Sequence, residues 1–101
     1  MGNEVPFIDT NIFLRFLILD IANPSLNRRA KNIIQKIQAK KLKVQTTPMI
    51  VSETVYVLES YYGLSKKEVV EKLEPLIGLE YIHLDEKTLI LAAFSPYVEN
   101  N

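Results

Sequence analysis

Three acids stand where a parallel α/β chain would put chemistry. Asp9 closes the apolar run Val5-Pro6-Phe7-Ile8, and an apolar helical pattern (Ile12, Phe13, Phe16, Leu17) begins at once. A short apolar run bounded this way reads as a buried strand. Glu53 lies in the first two turns of a helix that opens at Thr47-Pro48, after the strand-like stretch Leu42-Lys43-Val44-Gln45-Thr46. Asp85 follows the apolar and β-branched stretch 79–84. Parallel strands end on one common edge, and ligands of open α/β sheets bind at that edge. Carboxylates that converge there repel, unless a divalent cation or a shared proton relieves them. Hard cations such as Mg²⁺ or Mn²⁺ prefer such oxygen ligands.

Each acid also has a purely structural reading. Asp9 can cap the following helix, because Asp accepts orphan backbone N–H groups. Glu53 can complement the helix dipole as an early acid. Its neighbours Val51, Ser52, Thr54 and Val55 are small or apolar, however, so its face is not obviously solvated. Asp85 is expected to cap the fifth helix and to stand apart from the other two. Glu59, on another face of its helix, is expected in solvent, and Asp20 at a helix end or turn.

Other chemistries find little footing. There is no Cys and one histidine, His83, so no histidine- or thiolate-bound zinc site can form. His83, inside an alternating strand, is expected to be structural. Ser52 and Ser60 have no positioned histidine, which leaves a hydrolase triad unsupported. The three glycines, Gly2, Gly63 and Gly78, form no phosphate loop. Tyr56, Tyr61 and Tyr62 suit a core or interface better than a base-stacking platform.

The elements that must position the acids can be read in order. Strand one is about 5–9 and helix one about 11–19. Asn23-Pro24-Ser25 breaks the chain and restarts it, since Pro suits a first helical position. Helix two runs to about Lys40, with Leu26, Ala30, Ile33, Ile34 and Ile37 on one face and Arg29, Lys36 and Lys40 on the outer one. Thr47 caps helix three, which runs to about Tyr62 and stops at Gly63. Ser65-Lys66-Lys67-Glu68 is a capping box for helix four, which ends near Gly78. Helix five spans Glu86 to about Phe94, and Ser95-Pro96 is expected to end or bend it. Strands alternating with helices or helix pairs argue for a parallel sheet covered by helices. Helix five is apolar over most of its surface, so the chain is expected to stop before its fold is complete.

The 101 residues suffice for one core, so residues 1–101 are expected to form a single domain. Hydrophobic content of 48% with 24% charged residues excludes a disordered chain. The longest apolar stretches are too short to cross a membrane, no export signal is present, and a cytoplasmic location is expected. Net charge is zero but unevenly spread: −2 over residues 1–20, +7 over 21–52 and −5 over 53–101. The middle third holds no acid, so a chain of zero net charge can still present a basic face.

Phe7-Ile8-Asp9-Thr10-Asn11 with its apolar helix resembles the opening of PIN domains. So does the later series Pro48, Ser52-Glu53, Tyr56, Leu58 and Tyr62-Gly63-Leu64-Ser65. The pattern is similar to VapC-like toxins of toxin–antitoxin pairs, over essentially residues 5–99. The resemblance implies a three-layer α/β/α fold with a short parallel sheet. It also implies Mg²⁺- or Mn²⁺-dependent cleavage of RNA, an antitoxin partner and a homodimer. It assigns catalysis and metal binding to Asp9 and Glu53, with Thr10 and Asn11 in support. Arg29, Lys36 and Lys40 become a weak RNA-binding set. The family's further aspartates fall where this chain ends. The fold is therefore expected to be C-terminally incomplete and the 101-residue chain inactive, with a non-catalytic partner-binding module as the alternative.

Overall fold

The structure, a computed structural model, describes residues 5–18 and 24–100. Five helices and two strands alternate along them: α1 (Thr10–Leu17), α2 (Pro24–Gln38), β1 (Val44–Thr46), α3 (Pro48–Ser60), α4 (Lys66–Ile77), β2 (Ile82–Leu84) and α5 (Lys87–Glu99). The expected end of helix one at Leu19, and Asp20, lie outside the described residues. β1 and β2 pair in parallel, Val44 to Ile82, Gln45 to His83 and Thr46 to Leu84. The parallel α/β arrangement expected from the sequence is thus present.

The expected first strand is reduced to a single parallel bridge, Phe7 to Gln45. Two backbone bonds make it, Ile8 N–H to the Gln45 carbonyl and Gln45 N–H to the Pro6 carbonyl, both 2.9 Å. Pro6 explains the shortfall. It has no N–H to continue the ladder downward, and Asp9 turns the chain into α1 just above. Side chains lend two more bonds: Gln45 Nε2 donates to the Val5 carbonyl at 2.7 Å and Thr46 Oγ1 to the Ile8 carbonyl at 3.1 Å. Aligned residues of parallel neighbours share a face, and the Phe7–Gln45–His83 row has both end members in solvent, with Phe7 60% exposed. The opposite row, Ile8, Thr46 and Leu84, is buried.

The core joins every element. Phe13 of α1, Ile34 and Ile37 of α2, Leu58 of α3, Leu73 and Ile77 of α4 and Ile82 of β2 are essentially inaccessible. Phe94 carries α5 into the same cluster.

Local signals set most helix ends. Thr47 accepts the Ile50 N–H at 3.2 Å, ahead of Pro48 in the first turn of α3. Gly63 adopts φ +66°, and the Leu64 N–H returns to the Leu58 carbonyl at 3.0 Å. The capping box of α4 is complete: Glu68 N–H to Ser65 Oγ at 3.1 Å, and Ser65 N–H to Glu68 Oε1 at 2.9 Å. The bond from the Ser65 N–H, aided by the Ser65 hydroxyl, holds the Glu68 carboxyl below its ordinary value of 4.5. A lowered carboxylate stabilises the fold above its unfolded value and ceases to do so as pH falls through the folded one. We expect Ser65→Ala to cost about 1 kcal/mol in urea unfolding at neutral pH. We also expect wild type to lose stability relative to Glu68→Gln, which keeps the box but does not titrate, as pH drops below 4.5. Parallel pH profiles for the two would refute this.

Two helix boundaries depart from the sequence reading. Asp85 does not cap α5. The cap is Glu86, in the left-handed region at φ 60° and without a side-chain bond, and Asp85 turns instead to His83 Nε2 at 3.2 Å. Nor does Pro96 end α5, which continues to Glu99. Proline removes one N–H near the end of the helix, and tertiary contacts hold the last turn. Tyr97 donates its hydroxyl to Glu59 Oε2 at 2.6 Å, and Lys66 reaches the Asn100 carbonyl. Glu59 is therefore half-buried and engaged, not free in solvent as expected. Burial, and then the Glu59 bond, raise the Tyr97 hydroxyl above its ordinary range.

A candidate metal-binding rim

The edge where the strand segments end is built from capping geometry. Asp9 sits in an extended conformation as N-cap of α1, and its Oδ1 accepts the Ile12 N–H at 3.2 Å. The capping alternative is thus realised. It occupies one carboxylate oxygen, and Oδ2 has no partner among the described residues. Thr10, the first helical residue, donates Oγ1 to Glu53 Oε2 at 3.1 Å. This bond crosses 43 positions of sequence. It joins the start of α1 to the second turn of α3, and the two helices pack together. Glu53 Oε1 is likewise without a partner among the described residues. Both acids are exposed.

The sheet register locates the third acid. Asp9, Thr47 and Asp85 each follow the aligned row Ile8, Thr46 and Leu84. One strand position separates Asp9 from β1 and another separates β1 from β2, so Asp85 lies roughly 10 Å to the side at about 4.8 Å per strand. Asp85 is apart from the pair, as expected. Among the described residues, no three His, Asp or Glu side chains cluster closely enough to hold a metal ion. His83 is exposed on the outer face of β2.

Asn11 is exposed, and its side chain bonds to none of the described residues. The basic residues divide. Arg29 and Lys36 line one shallow concavity on α2 with Ser25, Arg28, Asn32 and Ile33. Lys40 lies past the end of that helix, at φ 60°, and pairs with Glu80 at 3.1 Å. Arg28 and Asn32 escaped the sequence reading, although they recur with Ser25 and Lys36 at three- and four-residue spacing. Tyr56, Tyr61 and Tyr62 are exposed and take no part in the core. Tyr56 edges an apolar groove of about 420 Å³ between α3 and α5, which Val55, Ile90 and Ala93 also line. Leu89 stands 67% exposed on α5, whereas Phe94 is already buried and Tyr97 half-buried. No helix among the described residues is long and apolar enough to cross a membrane.

No curated protein and no solved structure gives a significant match to this chain. A family model for the PIN domain matches residues 7–93, a span that holds Asp9, Thr10, Asn11 and Glu53. PIN domains are generally a nuclease fold and generally use divalent metal ions. With its helix order, its short parallel sheet and this match, the chain belongs to the PIN domain family.

Proposed function

We propose that this protein is a metal-dependent ribonuclease of the toxin–antitoxin type, with Asp9 and Glu53 as its catalytic and metal-binding carboxylates. The observation that carries the reading is the Thr10–Glu53 hydrogen bond, which puts the neighbour of Asp9 in contact with Glu53. Each acid spends one oxygen on position, Asp9 on the Ile12 N–H and Glu53 on the Thr10 hydroxyl, and keeps the other for a ligand. The donors are all oxygen, which suits Mg²⁺ or Mn²⁺ and not a thiolate metal. When bound, such an ion supplies a water of lowered pKa and neutralises charge on the phosphodiester. Thr10 steers the Glu53 carboxylate, and the α1 cap holds the Asp9 carboxylate at the strand end.

Two carboxylates hold Mg²⁺ weakly, because the ion keeps most of its waters and leans on substrate phosphates. The 101-residue chain on its own should therefore cleave RNA little or not at all, and its site should show first as ion binding. Mn²⁺ titration followed by electron paramagnetic resonance tests this. We expect weak binding that tightens when an RNA oligonucleotide is added, and at least tenfold weakening in Glu53→Gln. Binding that Glu53→Gln leaves unchanged would remove Glu53 from the site. A chain that takes up no Mn²⁺ with or without RNA would instead be a non-catalytic partner-binding module. The apolar groove between α3 and α5, edged by the exposed Tyr56, favours that second reading and is the surface on which a homodimer or an antitoxin would sit.

A further inference from the structure

The outer face of α2 carries charge that nothing in the fold explains. Its inner face is spent on the core, through Ala30, Ile34 and Ile37. The outer face presents Ser25, Arg28, Arg29, Asn32 and Lys36 around one open concavity of about 450 Å³. No acid occurs anywhere in residues 21–52. Among the described residues, Arg28, Arg29 and Lys36 form no ion pair, whereas Lys40, just beyond the helix, is neutralised by Glu80. Arg28 and Arg29 stand side by side, and Lys36 follows two turns along the same acid-free face. Cations without counter-charges present a positive field that a polyanion lying along the helix would neutralise.

We propose that this face is a track for the phosphate backbone of the RNA, separate from the Asp9–Glu53 rim; the inference rests on the ribonuclease reading above. The stripe from Ser25 to Lys36 spans eleven residue steps, about 16 Å of helix axis at 1.5 Å per step. That length spans several successive phosphates of a polynucleotide strand. The chemistry of the stripe selects backbone over base. Arginine forks match phosphate oxygens in bidentate fashion, and the serine hydroxyl and asparagine amide add neutral donors of the kind that contact phosphates. No aromatic side chain lines the concavity, so it lacks the stacking surface on which sequence-tolerant base contacts depend. Binding here is electrostatic and indifferent to sequence.

Fluorescence anisotropy of a labelled 20-nucleotide oligouridine in EDTA, over a range of salt, reads this directly. Divalent metal is absent, so the rim acids do not enter. The triple variant R28Q/R29Q/K36Q keeps helix-forming side chains at exposed positions, and circular dichroism checks its fold. We expect it to bind at least tenfold more weakly at 50 mM salt. The slope of log K against log salt should fall by about 2, from a loss of three phosphate contacts at roughly 0.7 each. Lys40→Gln should bind like wild type, because its charge is already paired. Unchanged affinity in the triple variant overturns the track and leaves the nuclease reading standing. So does a wild type that binds no RNA at low salt. Equal competition by polyglutamate would make the face a site for an acidic protein and overturn it as well.

Discussion

Asp9→Asn is expected to leave the protein folded and to abolish the divalent-metal binding proposed for the rim. The observed cap and the proposed ligand role draw on different properties of one side chain. Capping needs an oxygen that accepts the Ile12 N–H, and Asn caps as well as Asp. Only the charge near the positive end of α1 is lost, worth about 0.5 kcal/mol at an exposed site. Metal binding needs the anion, and an amide oxygen is a poor substitute in a site with two charged ligands. Loss of groups that merely orient a ligand already costs 10–100-fold in metal affinity, so loss of a ligand itself should cost about 100-fold or more. Asp9→Ala should lose both functions and show an added cost of about 1 kcal/mol. Thermal melts and Mn²⁺ titrations on the two variants make the comparison. If Asp9→Asn binds Mn²⁺ like wild type while Asp9→Ala is only destabilised, Asp9 is a cap and nothing more.

Phe13→Ala should be the most damaging single change to the fold. Phe13 has no solvent exposure and lies one turn inside α1, below the Asp9–Thr10 corner. Truncating a buried phenylalanine costs about 3–5 kcal/mol, from lost transfer energy and the cavity left behind. Small domains have on the order of 5–15 kcal/mol in total, and a chain of this size buries too little surface to sit at the top of that range. In urea, with a slope of about 1–3 kcal/mol per molar, the midpoint should fall by more than about 1 M. Met49→Ala is the control. Met49 is 70% exposed, and surface substitutions stay within about 0.5 kcal/mol. Equal shifts for the two variants would mean that α1 is not seated in the core as described.

What could be read from the sequence follows the range of the forces involved. The Ser65–Glu68 box, the Thr47-Pro48 start and the Gly63 stop were all legible, because each is settled within four residues. Asp9 and Glu53 were legible as residues on one rim from strand–helix order alone. The Thr10 hydroxyl that links that rim across the fold was not, since nothing local announces it. α5 misled at both ends, for different reasons. At its start a local competitor won: Asp85 turns to His83, two residues back in β2, and leaves the cap to Glu86. At its end, Tyr97 and Lys66 hold the turn that Pro96 weakens, and their partners come from α3 and from the chain end. The first strand failed differently: its side chains have the right pattern, but Pro6 lacks the N–H that a ladder needs.

That missing N–H bears on time as well as on shape. Segments of a protein open independently, with free energies that track how many bonds and buried contacts hold them. The stretch 5–8 is held by two backbone bonds, two side-chain bonds and one buried side chain, Ile8. It nonetheless sets the position of Asp9. So short a seam is expected to open more readily than the whole fold, and hydrogen exchange at the Ile8 and Gln45 amides would read that opening. The share of molecules that hold Asp9 beside Glu53 would then follow it. Replacing Gln45, whose side chain holds the Val5 carbonyl, would loosen the seam while removing little of the buried core.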